Sequence, residues 1–166
     1  MYCLFVTFFL FSYVYSQENV PTVPEVTFSA GLSHDVTFSE ATTIIFDTVF
    51  TNIGNAYNPS SGIFLCPETG IYLFQYHLVA RQGTSAWLEL YHNAYYVNSA
   101  YTHTTSEWGA AGNSVIMRLS KGDTMFIRSV KNDNGYTTEL YGRSDQIYNT
   151  FTGYLLLPVH EHIVIG

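Results

Sequence analysis

The sequence predicts an all-β fold in which two antiparallel sheets pack face to face, and three observations predict it. Short apolar runs alternate with turn residues every ~8–12 positions from Val26 onward, the spacing of a sandwich or barrel. Several runs alternate in period two, so one side of each strand can face a core. No capped stretch with a 3.6-residue repeat occurs, so almost no helix is expected. The composition agrees, because 14 Tyr and 12 Phe with only 11% charged residues are too apolar for disorder and suit aromatic, β-branched strands.

In chain order, residues 1–16, MYCLFVTFFLFSYVYS, carry no charged side chain and read as a signal peptide. Val14 and Ser16 are small enough for its cleavage site, which places the mature start at Gln17. The stretch is short for a membrane span and has no basic stop-transfer cluster. Residues 17–25, with two prolines, read as a short linker, 26–158 as the globular domain, and 159–166 as a tail. The expected strand runs are VTFSA, TIIFDTVF, GIFLC, IYLFQYHLVA, AWLELYHN, YYVNSAY, SVIMRL, TMFIRSV, TELYG and TFTGYLLL. Between them NIGNAYNPSSG, PETG, RQGTS, SKGD and KNDNG supply turn residues. Val115, Met117 and Leu119 share one face of their run, as do Phe151, Gly153, Leu155 and Leu157 of theirs. Ile116, Tyr154 and Leu156 then fall on the opposite faces, and apolar residues on both sides of a sheet call for a second cover, most economically another copy of the chain.

The net charge of −7, with six Lys and Arg scattered singly, offers no basic face for nucleic acid and no polybasic handle for membrane lipid. Cys3 leaves with the signal, so Cys66 remains as a single thiol within apolar GIFLCP and reads as buried and inert. The fold is therefore expected to stand without an internal disulfide.

Eight positions at fixed spacing follow from Phe46: Asn52, Tyr57, Phe64, Gly70, Tyr72, Phe74 and Tyr76 complete the set. Further on, Gly112-Asn113-Ser114 leads into VIMRLSKGD with Gly122-Asp123 at a bend, and Phe151-x-Gly153-Tyr154-Leu155-Leu156 forms a closing strand. This pattern resembles the globular head domain of complement C1q over roughly residues 26 to 158. The resemblance implies a ten-stranded antiparallel jelly roll, shared with the tumour-necrosis-factor ligands, and assembly into homotrimers through aromatic-rich faces. Gly70 would end a tight turn where a side chain crowds a neighbouring strand, and Phe64, Tyr72, Phe74 and Tyr76 would be packing residues. The sequence contains no Gly-X-Y tract, so a collagen stalk and classical complement activation are not carried over. What it most resembles are stand-alone secreted globular heads of invertebrates, molluscs especially, many of them soluble lectin-like proteins.

The calcium site of several family members uses acids in the loop before the Gly-x-Ser strand. Here that loop, Tyr101 to Ala111, offers only Glu107, against the roughly six to eight oxygens calcium takes, so no cofactor is expected. His160-x-His162, and His103 near Glu107, fall short of the converging ligands zinc needs, so no metal site is expected either. His77 reads as a packed or interface residue. No nucleophile elbow, phosphate loop or CxxC pair is present, which argues against an enzyme. Binding has better material: Tyr101, Glu107, Trp108, Asn134, Tyr136, Tyr141 and Arg143 lie in or beside polar stretches. Aromatic faces flanked by polar groups suit a sugar. The same rings could equally pack against a sheet edge or subunit contact, and residue type does not decide between the two.

The expectation is thus a secreted, extracellular, non-catalytic homotrimer that recognises glycans or microbial surfaces in innate immunity. The alternative is a jelly-roll ligand, cytokine- or transmitter-like, for a cell-surface receptor. Neither reading involves nucleic acid or membrane insertion.

Overall fold

A computed structural model describes residues 25–130 and 137–159. These residues form twelve strands and no helix, and every strand pair is antiparallel. One sheet has the order β2 (Val36–Phe38), β11 (Thr138–Leu140), β6 (Gly70–Ala80), β12 (Thr150–Pro158), β1 (Thr27–Gly31) and β3 (Thr48–Ile53). Its seventh strand, β9 (Gly109–Leu119), lies along the other side of β6. The second sheet runs β4 (Tyr57–Asn58), β5 (Ile63–Leu65), β10 (Thr124–Ser129), β7 (Ser85–His92) and β8 (Tyr95–His103).

The segment count exceeds ten because the short pairings β2 and β4 form strands of their own. Other boundaries shift as well. Residues 43–47 of the run TIIFDTVF are not in a strand, although Ile44 and Phe46 are buried there. β2 lies outside every expected run. The expected polar loop from Tyr101 to Ala111 shrinks to 104–108, because β8 continues to His103 and β9 begins at Gly109.

Leu157 corrects the expected face of the last strand. Phe151 and Gly153 face the core, but the register slips between Leu155, opposite Tyr72, and Leu157, opposite Ile71. Leu156 is the extra residue of a β-bulge, and the bulge turns Leu157 outward, where it is 63% exposed.

The core is a stack of rings between the sheets. Phe28 lies parallel to Tyr57 at 4.8 Å and edge-on to Phe151 at 4.9 Å, while Phe64 meets Phe74 edge-on at 5.3 Å. Such pairs add about 0.5–1.5 kcal/mol each beyond area burial. Two glycines make room for this packing. A Cβ on Gly153 would lie 2.6 Å from both Phe28 Cε1 and Phe74 Cε1, and one on Gly70 would lie 2.6 Å from the Leu157 carbonyl oxygen.

The Phe46, Asn52 and Tyr57 spacing also has a cause. Asn52 clasps the Tyr57 backbone, its Nδ2 donating to the carbonyl at 2.8 Å and its Oδ1 accepting from the N–H at 3.1 Å. The Tyr57 hydroxyl donates to the Phe46 carbonyl at 3.0 Å and accepts from the Phe46 N–H at 3.1 Å. Burial pushes the phenol up to about 12, so it stays a neutral donor. Tyr57→Phe strands both backbone groups of Phe46 in the interior and is expected to cost about 1–3 kcal/mol. A urea titration checks this: the midpoint falls while the slope is unchanged.

On one open side of the sandwich the edge strands β8 and β9 are stitched by carboxamides. Asn98 Nδ2 donates to the Ser114 carbonyl at 3.1 Å, and Asn113 Nδ2 donates to the Ser99 carbonyl at 2.8 Å. The Tyr76 hydroxyl donates to Asn98 Oδ1 at 3.1 Å and so ties the clasp to the core.

Candidate functional site

The pleat of β7 buries Ala86, Leu88 and Leu90 and turns Ser85 and Trp87 toward solvent. On β8 the same alternation buries Ala100 and exposes Tyr101 and His103 beside Ser99. Cross-strand pairing places Trp87 opposite Tyr101, with ring centroids 5.7 Å apart and an interplanar angle of 69°. Val130, Thr137 and Thr138 wall the other side and enclose a groove of about 510 Å³. The wall is fixed to β7: Trp87 N–H donates to Thr138 Oγ1 at 3.3 Å, Thr138 Oγ1 donates to the Trp87 carbonyl at 3.2 Å, and Ser85 Oγ donates to the Thr137 carbonyl at 3.2 Å. Two aromatic rings thus sit beside hydroxyls and an imidazole, and among the described lining residues His103 and Tyr101 are the titratable side chains.

A second cleft, of about 370 Å³, opens beside the 104–108 connection, where β6, β9 and the segment between β11 and β12 meet. Its wall is Trp108, Tyr141 and Tyr148, and its floor is Val79, Gly109 and Ala110. Trp108 and Tyr141 rings are 4.1 Å apart, and Tyr141 and Tyr148 rings 5.3 Å. Buried Asn149 holds the Tyr141 segment to β6, because its Nδ2 donates to the Tyr141 carbonyl and its Oδ1 accepts from Val79 N–H at 2.7 Å.

The candidate residues named from sequence therefore divide. Tyr101, 57% exposed, belongs to the groove, and Trp108, 48% exposed, and Tyr141 belong to the cleft. Exposed Glu107 precedes Trp108 in the 104–108 loop, where its backbone carbonyl accepts from Gly83 N–H and Thr104 Oγ1. Arg143 forms a bidentate pair with Asp145, at 2.8 and 2.6 Å, and holds that carboxyl below its ordinary range. Asn134 and Tyr136, like His160 and His162, lie outside the described residues. Trp87 and Tyr148 complete the two sites without being among the residues expected from sequence. Period-two reading of AWLELYHN would have found Trp87, whereas nothing in the sequence marks Tyr148.

The outer face of the seven-stranded sheet is divided along its strands. Ile116, 62% exposed, Leu73 and Tyr154 lie side by side across β9, β6 and β12, with Leu157 beyond them. The other half carries Ser114, Gln75, Thr152 and exposed His77, which is therefore not packed in the core. Cys66 is buried, and desolvation pushes its thiol up, consistent with an inert side chain. Ser33, His34 and Asp47 are neighbours, but the Ser33 hydroxyl donates directly to the Asp47 carboxylate. The imidazole stands to one side, 3.4 Å from the hydroxyl and 3.5 Å from the carboxylate. A Ser-His-Asp relay needs the histidine between the other two.

Fold and core define a jelly-roll sandwich of the type shared by complement heads and tumour-necrosis-factor ligands. The chain belongs to the C1q family, whose C1q domain matches residues 27–156. It is 34% identical over 119 residues to the mouse (Mus musculus) collagen alpha-1(X) chain, covering 70% of this chain and 16% of that one. It is 31% identical over 139 residues to mouse complement C1q tumor necrosis factor-related protein 3, covering 82% of this chain and 53% of the relative. The chain thus spans about half the length of one relative and a sixth of the other. Among solved structures, the globular domain of zebrafish complement 1qA superposes with a TM-score of 0.65 at 18% identity, covering 81% of this chain and 99% of that one. Eiger TNF from S. frugiperda gives 0.65 at 11% identity, covering 84% and 98%. At those identities the likeness is one of fold.

Proposed function

We propose that this chain is a secreted, non-catalytic recognition domain that works as a homotrimer and binds carbohydrate, lectin-like, in innate immunity. The observation that carries the reading is the Trp87–Tyr101 groove. A pyranose presents a face of C–H groups to an indole and a rim of hydroxyls to its surroundings. The groove offers two rings, the hydroxyls of Ser85 and Ser99, and His103, with no fixed charge to desolvate among its described lining residues. Trp87→Ala removes the stacking face and is expected to weaken glycan binding on the order of tenfold. A glycan array read with wild type and variant tests this, and unchanged binding by Trp87→Ala would overturn the groove assignment.

Self-association is supported by the half-apolar outer face, which in a single chain leaves Ile116 and Leu157 in water. The double variant Ile116→Arg with Leu157→Arg is expected to shift light scattering from trimer to monomer. It should keep the affinity of each groove for a monovalent sugar while losing on the order of 100-fold avidity on a surface.

A receptor-ligand reading rests on the same outer face and on the family's kinship with tumour-necrosis-factor folds. It predicts that the monomeric variant loses monovalent binding as well, because the contact would lie between protomers.

A further inference from the structure

The Trp108–Tyr141–Tyr148 cleft differs in chemistry from the groove. None of its six lining residues offers a hydroxyl, carboxamide or charged side chain apart from the two phenols. The Tyr148 hydroxyl is already engaged with Gln146 Oε1 at 2.8 Å. A sugar would bury its hydroxyls there with few partners, an unfavourable exchange.

The charges around the cleft favour a cation. Glu107 precedes Trp108, Glu139 lies two residues before Tyr141, Asp145 lies between Tyr141 and Tyr148, and Asp35 accepts from Gly142 N–H at 2.9 Å. Against these four acids of the flanking segments stand two guanidinium groups, those of Arg81 and Arg143. Both guanidinium groups are committed: Arg81 lies 3.7 Å from Asp35 and 3.5 Å from Glu139, and Arg143 is paired with Asp145 and engages the Tyr141 hydroxyl at the edge of the wall. The remaining field is negative, as is the chain at −7.

We propose that this cleft is a second binding site, and that it takes a quaternary ammonium group. Ring faces attract a cation within about 6 Å of their centroids, and Trp does so best. A quaternary ammonium has no N–H to leave unpaired and is weakly hydrated, so an apolar floor of Val79, Gly109 and Ala110 suits it where a lysine-type ammonium would lose hydrogen bonds. The three rings form one continuous wall, and 370 Å³ is ample for a trimethylammonium head. The site stands apart from the carbohydrate reading and does not depend on it.

The test uses the mature protein and tetramethylammonium chloride at constant ionic strength. Trp87→Phe leaves Trp108 as the single indole reporter. Its emission is expected to change saturably, and sodium chloride in place of the probe should give no change. Calorimetry with choline should show roughly tenfold weaker binding for Tyr148→Ala, and loss for Trp108→Ala, while Tyr148→Phe binds as wild type because the ring, not the hydroxyl, does the binding. The neutral isostere 3,3-dimethylbutan-1-ol should bind roughly tenfold more weakly than choline. Equal binding of the neutral isostere, no saturation, or choline binding that survives Trp108→Ala overturns the proposal. Co-sedimentation with phosphatidylcholine vesicles that Trp108→Ala abolishes supports the site with a lipid headgroup as source; choline saturation without sedimentation supports it with a free cation.

Discussion

Phe74→Asp is expected to leave no folded protein. Phe74 is fully buried and touches four rings: Phe64 at 5.3 Å, Tyr72 and Phe151 at 6.1 Å, and Phe28 at 6.4 Å. Losing the ring alone costs about 3–5 kcal/mol, and a carboxylate without a partner adds several more. A domain stabilised by about 5–15 kcal/mol does not survive that sum. Tyr72→Asp removes a second wall of the same box, together with a hydroxyl that donates to the Glu68 carbonyl at 2.6 Å, and is expected to behave alike. Circular dichroism and size exclusion decide the matter. A variant that elutes as wild type and melts cooperatively at the wild-type temperature would show that the core is assigned wrongly.

Gly153→Val is expected to be the next most damaging change. The residue lies on β12 between Phe28 of β1 and Phe74 of β6, each its cross-strand partner. A Cβ would stand 2.6 Å from both rings, nearly 1 Å inside contact distance. Neither ring has room to yield, since Phe28 is held between Tyr57 and Phe151, and Phe74 against Phe64 and Tyr72. Overpacking of this kind costs about 1–3 kcal/mol for one added group, and a β-branched residue adds three. Gly153→Ala should therefore unfold at lower denaturant than wild type, with Gly153→Val lower still or insoluble. Wild-type midpoints for both would mean that the rings have space elsewhere.

Much of the fold was legible because period-two patterning reports directly which side of a strand is wet. Val115, Met117 and Leu119 face inward and Ile116 outward as their alternation requires. The reading failed where that alternation breaks. The bulge at Leu156 reverses Leu157, and nothing in YLLLP distinguishes a bulged strand from a regular one. The start of β9, Gly109 to Ala111, lies within the expected loop, because glycine and alanine carry no strand pattern of their own. Here a Cβ on Gly112 would lie 2.7 Å from the Tyr76 carbonyl oxygen, so the small side chain serves close strand packing. The candidate binding residues were legible as types but not as a set. Tyr101 and Trp108 are seven positions apart, yet the 104–108 connection turns the chain from one sheet to the other and places them in different clefts.

The carboxamide clasp between β8 and β9 has a consequence for how the molecule behaves in a crowded fluid. An open strand edge is an invitation to any passing extended chain, because its carbonyls and amides wait in register for a partner. Here the carbonyls of Ser99 and Ser114 accept from side chains of the opposite sheet, and those side chains stand where a recruited strand would have to dock. Sheet growth along that flank is thereby obstructed at the middle of both strands. Along that flank association is left to side-chain surfaces, which unlike a backbone edge discriminate one partner from another.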